Sequence, residues 1–428
     1  MTGDIAAGTT VRWTADKEYL LNTIVYVQTN ATLIIEPGTV IKGGTNAARL
    51  VKRDAIPNLV SALWVTRGGK ILAEGTRDKP IIFTMEGDDV SDPHDIPPTM
   101  TGQWGGVVLM GRASLNTASD ATGNVATPKY DLYEGVEGPG PNFEHAFGGD
   151  DDDDNSGVLR YVSIRHTGNV FAPARELNSL SMGGVGRGTT IEYVESYASS
   201  DDGFEWWGGT VNTRYLVAAF IEDDDFDTDQ GYRGTNQFWF GIKPPWQGSS
   251  DSRAFETDGD LNQNVIGELP VSQWSVYNAT LIGRGKTATG FGGGVAWNPR
   301  DEAAPQVYNS IFTDFAEGIR LDTDGLTYFT NGLAGAWNNL WDVALNGNAN
   351  AQFLFTNPAY QNTVGPALLG PVSYTNNALL DPRPQSGSPA LTGAAPVPPG
   401  LVQTTYLGAF APDSNWAAGW TLLSQSGH

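Results

Sequence analysis

The 428 residues carry 25 Lys plus Arg against 48 Asp plus Glu, a formal net charge of −23, and 40% of them are hydrophobic. That apolar share supports a large folded body, while the charge excludes a surface built for nucleic acid or anionic lipid, whose binding depends on Lys and Arg displacing counterions. The absence of cysteine excludes disulfides and thiolate metal sites, and no apolar run approaches the roughly 20 residues of a membrane-spanning helix.

In chain order, Met1-Thr2-Gly3-Asp4 lacks the basic and apolar regions of a signal peptide, and residues 1–30 are expected to cap a repeating body. From Ala31 short β segments follow one another: Thr32 to Gly43, Ala62 to Val65, Gly69 to Ala73, Pro80 to Thr84 and Trp104 to Leu109. Each is too short for an amphipathic helix, and β-branched residues punctuated by Gly favour strands. Loop insertions are expected at 86–101, which is acidic and Pro-rich, and at 116–154, which ends in the run Asp150 to Asp154. Five like charges in a row read as a solvated loop, with a cation site as the competing reading.

The centre of the chain repeats itself. Asp201-Asp202-Gly203-Phe204-Glu205 returns 22 positions later as Asp223-Asp224-Asp225-Phe226-Asp227, and the same offset aligns Tyr193 with Tyr215 and Gly209 with Gly231. Leu159 to Ile164 matches the strand around Thr190 to Val194, and Val276 to Ile282 returns as Val307 to Phe312. Units this short cannot bury an apolar face alone, so they stack as the coils of a solenoid whose turns vary in length. The pattern fades after Leu326; Ala334 to Ala344 is expected as a short helix or irregular cap, within a C-terminal cap and tail over 331–428. The repeating body is thus expected over 31–330.

Stacking brings the chemistry together. Equivalent residues on adjacent coils lie about 4.7–4.9 Å apart, so stacked carboxylates repel unless a cation, an Arg or a proton intervenes. Phe226-Asp227-Thr228-Asp229 and Phe255-Glu256-Thr257-Asp258 share one order, and alternation puts their acids on one face and the aromatic ring on the other. Asp201, Asp202, Glu205, Asp223, Asp224, Asp225, Asp227 and Asp229 are therefore candidate metal ligands, with Ca²⁺ the expected ion because it takes six to eight oxygens. No EF-hand spacing occurs. Two other readings stand beside this one: acids solvated or paired with Arg214, Arg233 or Arg253, and acids that catalyse. Glycoside hydrolysis needs paired carboxyl groups, and if the chain is an enzyme the first candidates are Asp202, Asp224 and Asp227. A lyase adds a base, for which Arg165, Arg233, Lys243 and Arg320 are available. Trp206, Trp207 and Trp246 are candidate glycan-stacking residues, whereas Phe204, Phe226 and Phe238 are expected in the core. His94, His145, His166 and His428 show no metal-ligand spacing, and Gly183 to Gly188 reads as a turn.

Thr32 to Gly43, Ala73 to Thr84, the paired segments Asp201 to Gly209 and Asp223 to Gly231, and the closing Leu407 to Phe410 and Trp416 to Thr421 resemble secreted bacterial proteins of the pectin-lyase-like superfamily. The resemblance implies an all-β fold, a right-handed parallel β-helix solenoid with terminal caps, and export to the cell surface or medium with any signal peptide outside these residues. Polygalacturonases of that superfamily carry a Gly-His-Gly turn and an Arg-Ile-Lys strand; the first is absent and Gly318-Ile319-Arg320-Leu321 echoes the second loosely, so no catalytic residue carries over. The function expected is a Ca²⁺-stabilised structural or adhesive surface protein, self-associating or bound to extracellular glycans. A polysaccharide hydrolase or lyase and a non-catalytic glycan-binding module are the alternatives.

Overall fold

The computed structural model describes residues 1–116, 130–246, 249, 251–259, 269–289, 292, 294–375 and 377–428. The chain winds into a parallel β-helix. One sheet stacks ten strands, among them Ile24–Val27, Ala62–Val65, Val107–Met110, Leu180–Gly183, Phe204–Trp207, Phe226–Asp229, Arg253–Thr257 and Val295–Pro299. The other holds seventeen strands among the described residues and forms the remaining walls of the coil. Register follows the repeat seen in the sequence: Phe204 pairs with Phe226, and Phe226 with Phe255.

Alternation along these strands fills the interior. Phe204 and Phe226 point inward and stack with ring centroids 5.5 Å apart, and Trp206 and Phe226 meet Trp239 at 5.2 and 4.5 Å. Such ring pairs add about 0.5–1.5 kcal/mol each beyond the area they bury.

A second regularity lies on the outside of the larger sheet. Long strands Gly157–Arg165, Thr190–Tyr197, Thr213–Ala219 and Thr235–Ile242 each bend at one residue, Tyr161, Tyr193, Tyr215 and Phe238, with φ between 48° and 61°. In later coils the bend falls at Asn278, Asn309 and Asn338, again left-handed at φ 54° to 61°. Asn tolerates this conformation better than most residues. The aromatic members recover part of its cost by stacking, at 4.4, 4.3 and 4.9 Å between successive rings. Phe238 is therefore buried as expected, yet in this outer row; its neighbour Trp239 fills the interior.

The ends differ from the sequence expectation. Coiling begins inside residues 1–30, where Thr10–Trp13, Glu18–Leu21 and Ile24–Val27 pair in parallel with the next coil. It also runs past residue 330: Gly335–Trp337 and Leu340–Asp342 are strands where a helix or irregular cap was expected, and Leu345–Gly347 extends the ten-strand sheet. Short turns of helix at Ala349–Ala351, Phe353–Thr356 and Pro358–Tyr360 follow, and Phe355 packs on Trp341 of the last coils at 5.4 Å.

The tail then turns back along the outer row instead of closing the end. Asn338 donates to the Gly393 carbonyl, Asn309 to that of Ala395, and Asn278 to Thr404 and the Tyr406 carbonyl. Trp416 and Trp420 meet the tyrosine stack edge-on, and Arg77 in an early coil donates to Ala418.

Glu195 fixes the end of this strap. It is fully buried and accepts hydrogen bonds from the backbone N–H groups of Leu422 (2.8 Å) and Leu423 (3.0 Å) and from the Ser163 hydroxyl (2.6 Å). Replacing Glu195 with Gln removes one of the acceptor oxygens facing those two amides, a change expected to cost about 1–3 kcal/mol. Hydrogen exchange should accelerate over residues 415–428 while the coils stay protected; unchanged exchange there would contradict this anchoring role.

Candidate metal centre

Outward positions of the ten-strand sheet form ladders. One runs Ser181, Glu205, Asp227, Glu256, Asn298. A second, two residues before the inward Leu180, Phe204, Phe226 and Phe255, runs Asn178, Asp202, Asp224, Arg253. Three consecutive carboxylates in the first and two in the second create the like-charge problem that stacking predicts.

The structure solves it differently along the axis. Toward the later coils, Arg253 stands where Asp stood one and two coils earlier; it pairs with Asp224 (3.4 Å), Asp251 (2.7 Å) and Glu256. Arg300 pairs with Asp258 at 2.7 Å and also reaches Glu256. Lys243, fully buried, spends its ammonium protons on Asp225 (3.3 Å), the Asp223 carbonyl and the Arg253 carbonyl at 3.0 Å. Asp224, a candidate ligand and catalytic acid, is thus committed to Arg253, whereas Asp225 gives one oxygen to Lys243 and keeps the other buried with no hydrogen-bond partner among the described residues. Asp229 accepts from the Gln230 N–H at 2.6 Å and lies outside the acid cluster described next.

Toward the earlier coils the acids outnumber the cations. Asp201, Asp202 and Asp223 bring one oxygen each within 4.8 Å of one another, and Asp202, Glu205 and Asp227 do the same, so Asp202 links two triads. Asp202 accepts from the Asp224 N–H at 2.9 Å and Glu205 from the Asn178 amide. One oxygen each of Asp223 and Asp227 is buried with no hydrogen-bond partner among the described residues. Burial, reinforced by neighbouring carboxylates, holds Asp201, Asp202, Glu205 and Asp227 well above the usual carboxylate range. Asp223 is pushed up to about 7 by burial and then by Asp224; burial takes Asp225 to about 7 as well, with Lys243 pulling the other way. Five carboxylates supply the hard oxygen donors that Ca²⁺ requires, and orphaned oxygens are what a cation would satisfy. Asp201 and Asp223 also border a pocket of about 430 Å³ with Glu176, Ser200 and Asn169, which gives an ion a route in.

Two glycan candidates are displaced. Trp206 is in the interior against Tyr232 and Trp239, and Trp207 is buried under Tyr133 and Phe147. Both rings are covered, one by the coil and one by the hairpin Tyr130–Leu132 and Ala146–Gly148. Trp246 keeps partial exposure, its indole N–H on Glu222 at 3.1 Å. The candidate bases are also tied: Arg165 is buried near Asp88, Arg233 pairs with Asp152, and Arg320 with Glu317. In the acidic run, Asp152 and Asp153 face Arg233 and Arg187, and Asp154 is buried, so these acids are not merely solvated.

A parallel β-helix with an acidic centre on its outer face defines the class. The family described as "Pectate-lyase like beta helix domain" matches residues 3–365, and the chain belongs to it. Among solved structures, the crystal structure of pectate lyase Pel9A is similar at 10% identity over 90% of this chain and 89% of that one, with a TM-score of 0.39. Comparison with curated proteins gives no match.

These raised acids set a pH dependence. A carboxyl whose pKa is higher folded than unfolded favours the fold while protonated, and that contribution is lost as pH rises from the ordinary value of 3.8 through about 7 for Asp223 and Asp225. The buried histidines 145, 166 and 428 have lowered pKa values and act in the opposite sense below about 6.5. Metal-free protein should therefore lose melting temperature between pH 6.5 and 8, and Asp202→Asn with Asp227→Asn should flatten the loss. A profile identical in the double variant would show that the acids carry no such strain.

Proposed function

We propose that this chain is a bacterial β-helix protein of the cell surface or extracellular space, structural or adhesive in role, whose acidic ladder is held together by Ca²⁺. The observation that carries the reading is the asymmetry of the ladder: Arg253, Arg300 and Lys243 form ion pairs with Asp224, Asp258 and Asp225, while Asp201, Asp202, Glu205, Asp223 and Asp227 form none among the described residues. An ion bridging both triads would join consecutive coils at the point of greatest repulsion. Its role is then mechanical, as a pin between turns of the solenoid. The partners this reading implies are extracellular glycans or further copies of the chain.

Polysaccharide cleavage is the second reading, favoured by the pocket beside Asp201 and Asp223. Against it, each cationic candidate for a proton-abstracting base is engaged in an ion pair. Asp202 and Asp227 are the acids such an enzyme would use; Asp224 is held by Arg253.

Thermal unfolding in EDTA and then in Ca²⁺ tests the first reading. A ligand at 100 times its dissociation constant stabilises the fold by about 2.7 kcal/mol. The gain should grow from pH 6 to pH 8, as protons stop competing for the carboxylates, and should largely vanish in the Asp202→Asn, Asp227→Asn variant. Asn at 202 keeps the oxygen that accepts from Asp224, so folding is preserved. No Ca²⁺-dependent shift at pH 8 would refute the metal pin, and Ca²⁺-dependent release of oligosaccharides from an acidic polysaccharide would establish the second reading.

A further inference from the structure

The outer row carries three phenols where the fold needs only a bend and a ring. Asn takes the left-handed conformation with little strain at Asn278, Asn309 and Asn338, yet Tyr161, Tyr193 and Tyr215 fill the same bend on three consecutive coils. Phe238, in the next coil, adopts the bend and joins the stack without a hydroxyl. The interior stacks beneath are likewise built from Phe and Trp. Packing accounts for rings at these positions and leaves the hydroxyl groups unexplained.

The three phenols form a face-to-face column. Strand register places Arg160 and Val162 opposite Glu192 and Val194, and those opposite Arg214 and Leu216, so each tyrosine lies over the next. Ring centroids are 4.4 Å apart from Tyr161 to Tyr193 and 4.3 Å from Tyr193 to Tyr215, with planes 9° and 5° from parallel. The carbons beside each hydroxyl therefore face the neighbouring ring across a single stacking gap. All three side chains are half-buried, wedged edge-on by Trp416 and Trp420 of the strap, which fixes them while part of their surface stays open to solvent. Burial raises the pKa of Tyr193 and Tyr215, so both remain neutral phenols around pH 7.

We propose that this column is an oxidative cross-linking site, at which a one-electron oxidant of the peroxidase and peroxide class joins Tyr193 to Tyr161 or to Tyr215. Each phenol of the reacting pair gives up one electron and its hydroxyl proton, leaving a neutral radical whose unpaired electron is shared with the ring carbons beside the oxygen. One such carbon bonds to its counterpart on the next ring. The hydrogens on those two carbons then leave as protons and the two oxygens regain protons, restoring both phenols. Two electrons and two protons in all pass to one peroxide, which is reduced to two waters. Coupling otherwise waits on the encounter of two radicals; here the stack holds the reacting carbons together. The dityrosine link closes a covalent loop around one coil and so restricts the unfolded chain. It involves no residue of the acidic centre and does not depend on Ca²⁺.

The test treats the intact chain with a haem peroxidase and hydrogen peroxide, isolates the monomer and maps its tryptic peptides. Residues 161–165, 188–214 and 215–233 carry the three tyrosines on separate peptides. Mapping is used in place of total dityrosine fluorescence because Tyr277 and Tyr308 also stack, at 4.7 Å. The monomer should yield peptide 188–214 joined through Tyr193 to one of the other two, with the loss of two hydrogen atoms. Tyr193→Phe keeps the ring and should melt close to the parent, yet lower the yield of these linked peptides at least tenfold; Tyr161→Phe should leave only the link to Tyr215. The same treatment of the chain unfolded in guanidinium should give at least tenfold less, because the stack is gone. No link at Tyr193 once the peroxide is consumed, an equal yield from unfolded chain, or an undiminished yield in Tyr193→Phe would overturn the proposal.

Discussion

Every residue of a parallel β-helix has its own counterpart as a neighbour, about 4.8 Å above and below. For an apolar or aromatic residue this is an advantage, and the inward Phe row and the outer Tyr row both exploit it. For a charged residue it is a liability that grows with each coil. The acidic ladder and its arginine rungs are two outcomes of this one constraint. Where the sequence could place a cation at the next rung, as at Arg253, the ladder closes internally; where it repeats the acid, as at Asp202 and Asp224, the charge must be met from elsewhere.

Much of the fold was legible because the repeat is nearly fixed in its centre. An offset of 22 residues carries Tyr onto Tyr, Phe onto Phe and Gly209 onto Gly231, and both glycines adopt the same left-handed conformation. The two ends were misjudged for different reasons: the first coil keeps the 22-residue offset, Thr10 onto Thr32, but changes residue type, as in Trp13 onto Ile35, while past residue 330 the offset becomes 29, Val307 onto Ala336. Strand pairing tolerates such changes, since only register across the sheet must be kept.

Within the acidic site, the residue types were visible and their pairing was not. Asp224 and Asp202 look alike in sequence, but Asp224 meets an arginine 29 residues further on and Asp202 does not. Reading two positions before Phe255 would have revealed Arg253 in the aspartate register. Nothing local announced the pairing of Lys243, whose partners come from two separate segments, Asp223 to Asp225 and Arg253, or the hairpin that covers Trp207. A tryptophan's exposure is decided by what the chain lays over it, and that layer lies outside the repeat. A fully buried Lys and Asp pair contributes little net stability, but loss of either partner leaves an uncompensated charge, so the pair fixes how those turns are arranged.

The strap along the outer row changes the kind of stability that the solenoid has. In a simple stack each coil touches only its neighbours, and the ends can fray independently of the middle. Here a single segment touches Asn338, Asn309, Asn278, Tyr215, Tyr193 and finally Arg77, binding coils that never meet one another. It ties the array lengthwise, so fraying at one coil is felt at others through the strap. Because its track exists only once the coils have wound, its docking follows their formation and turns a quasi-linear array into one cooperative unit.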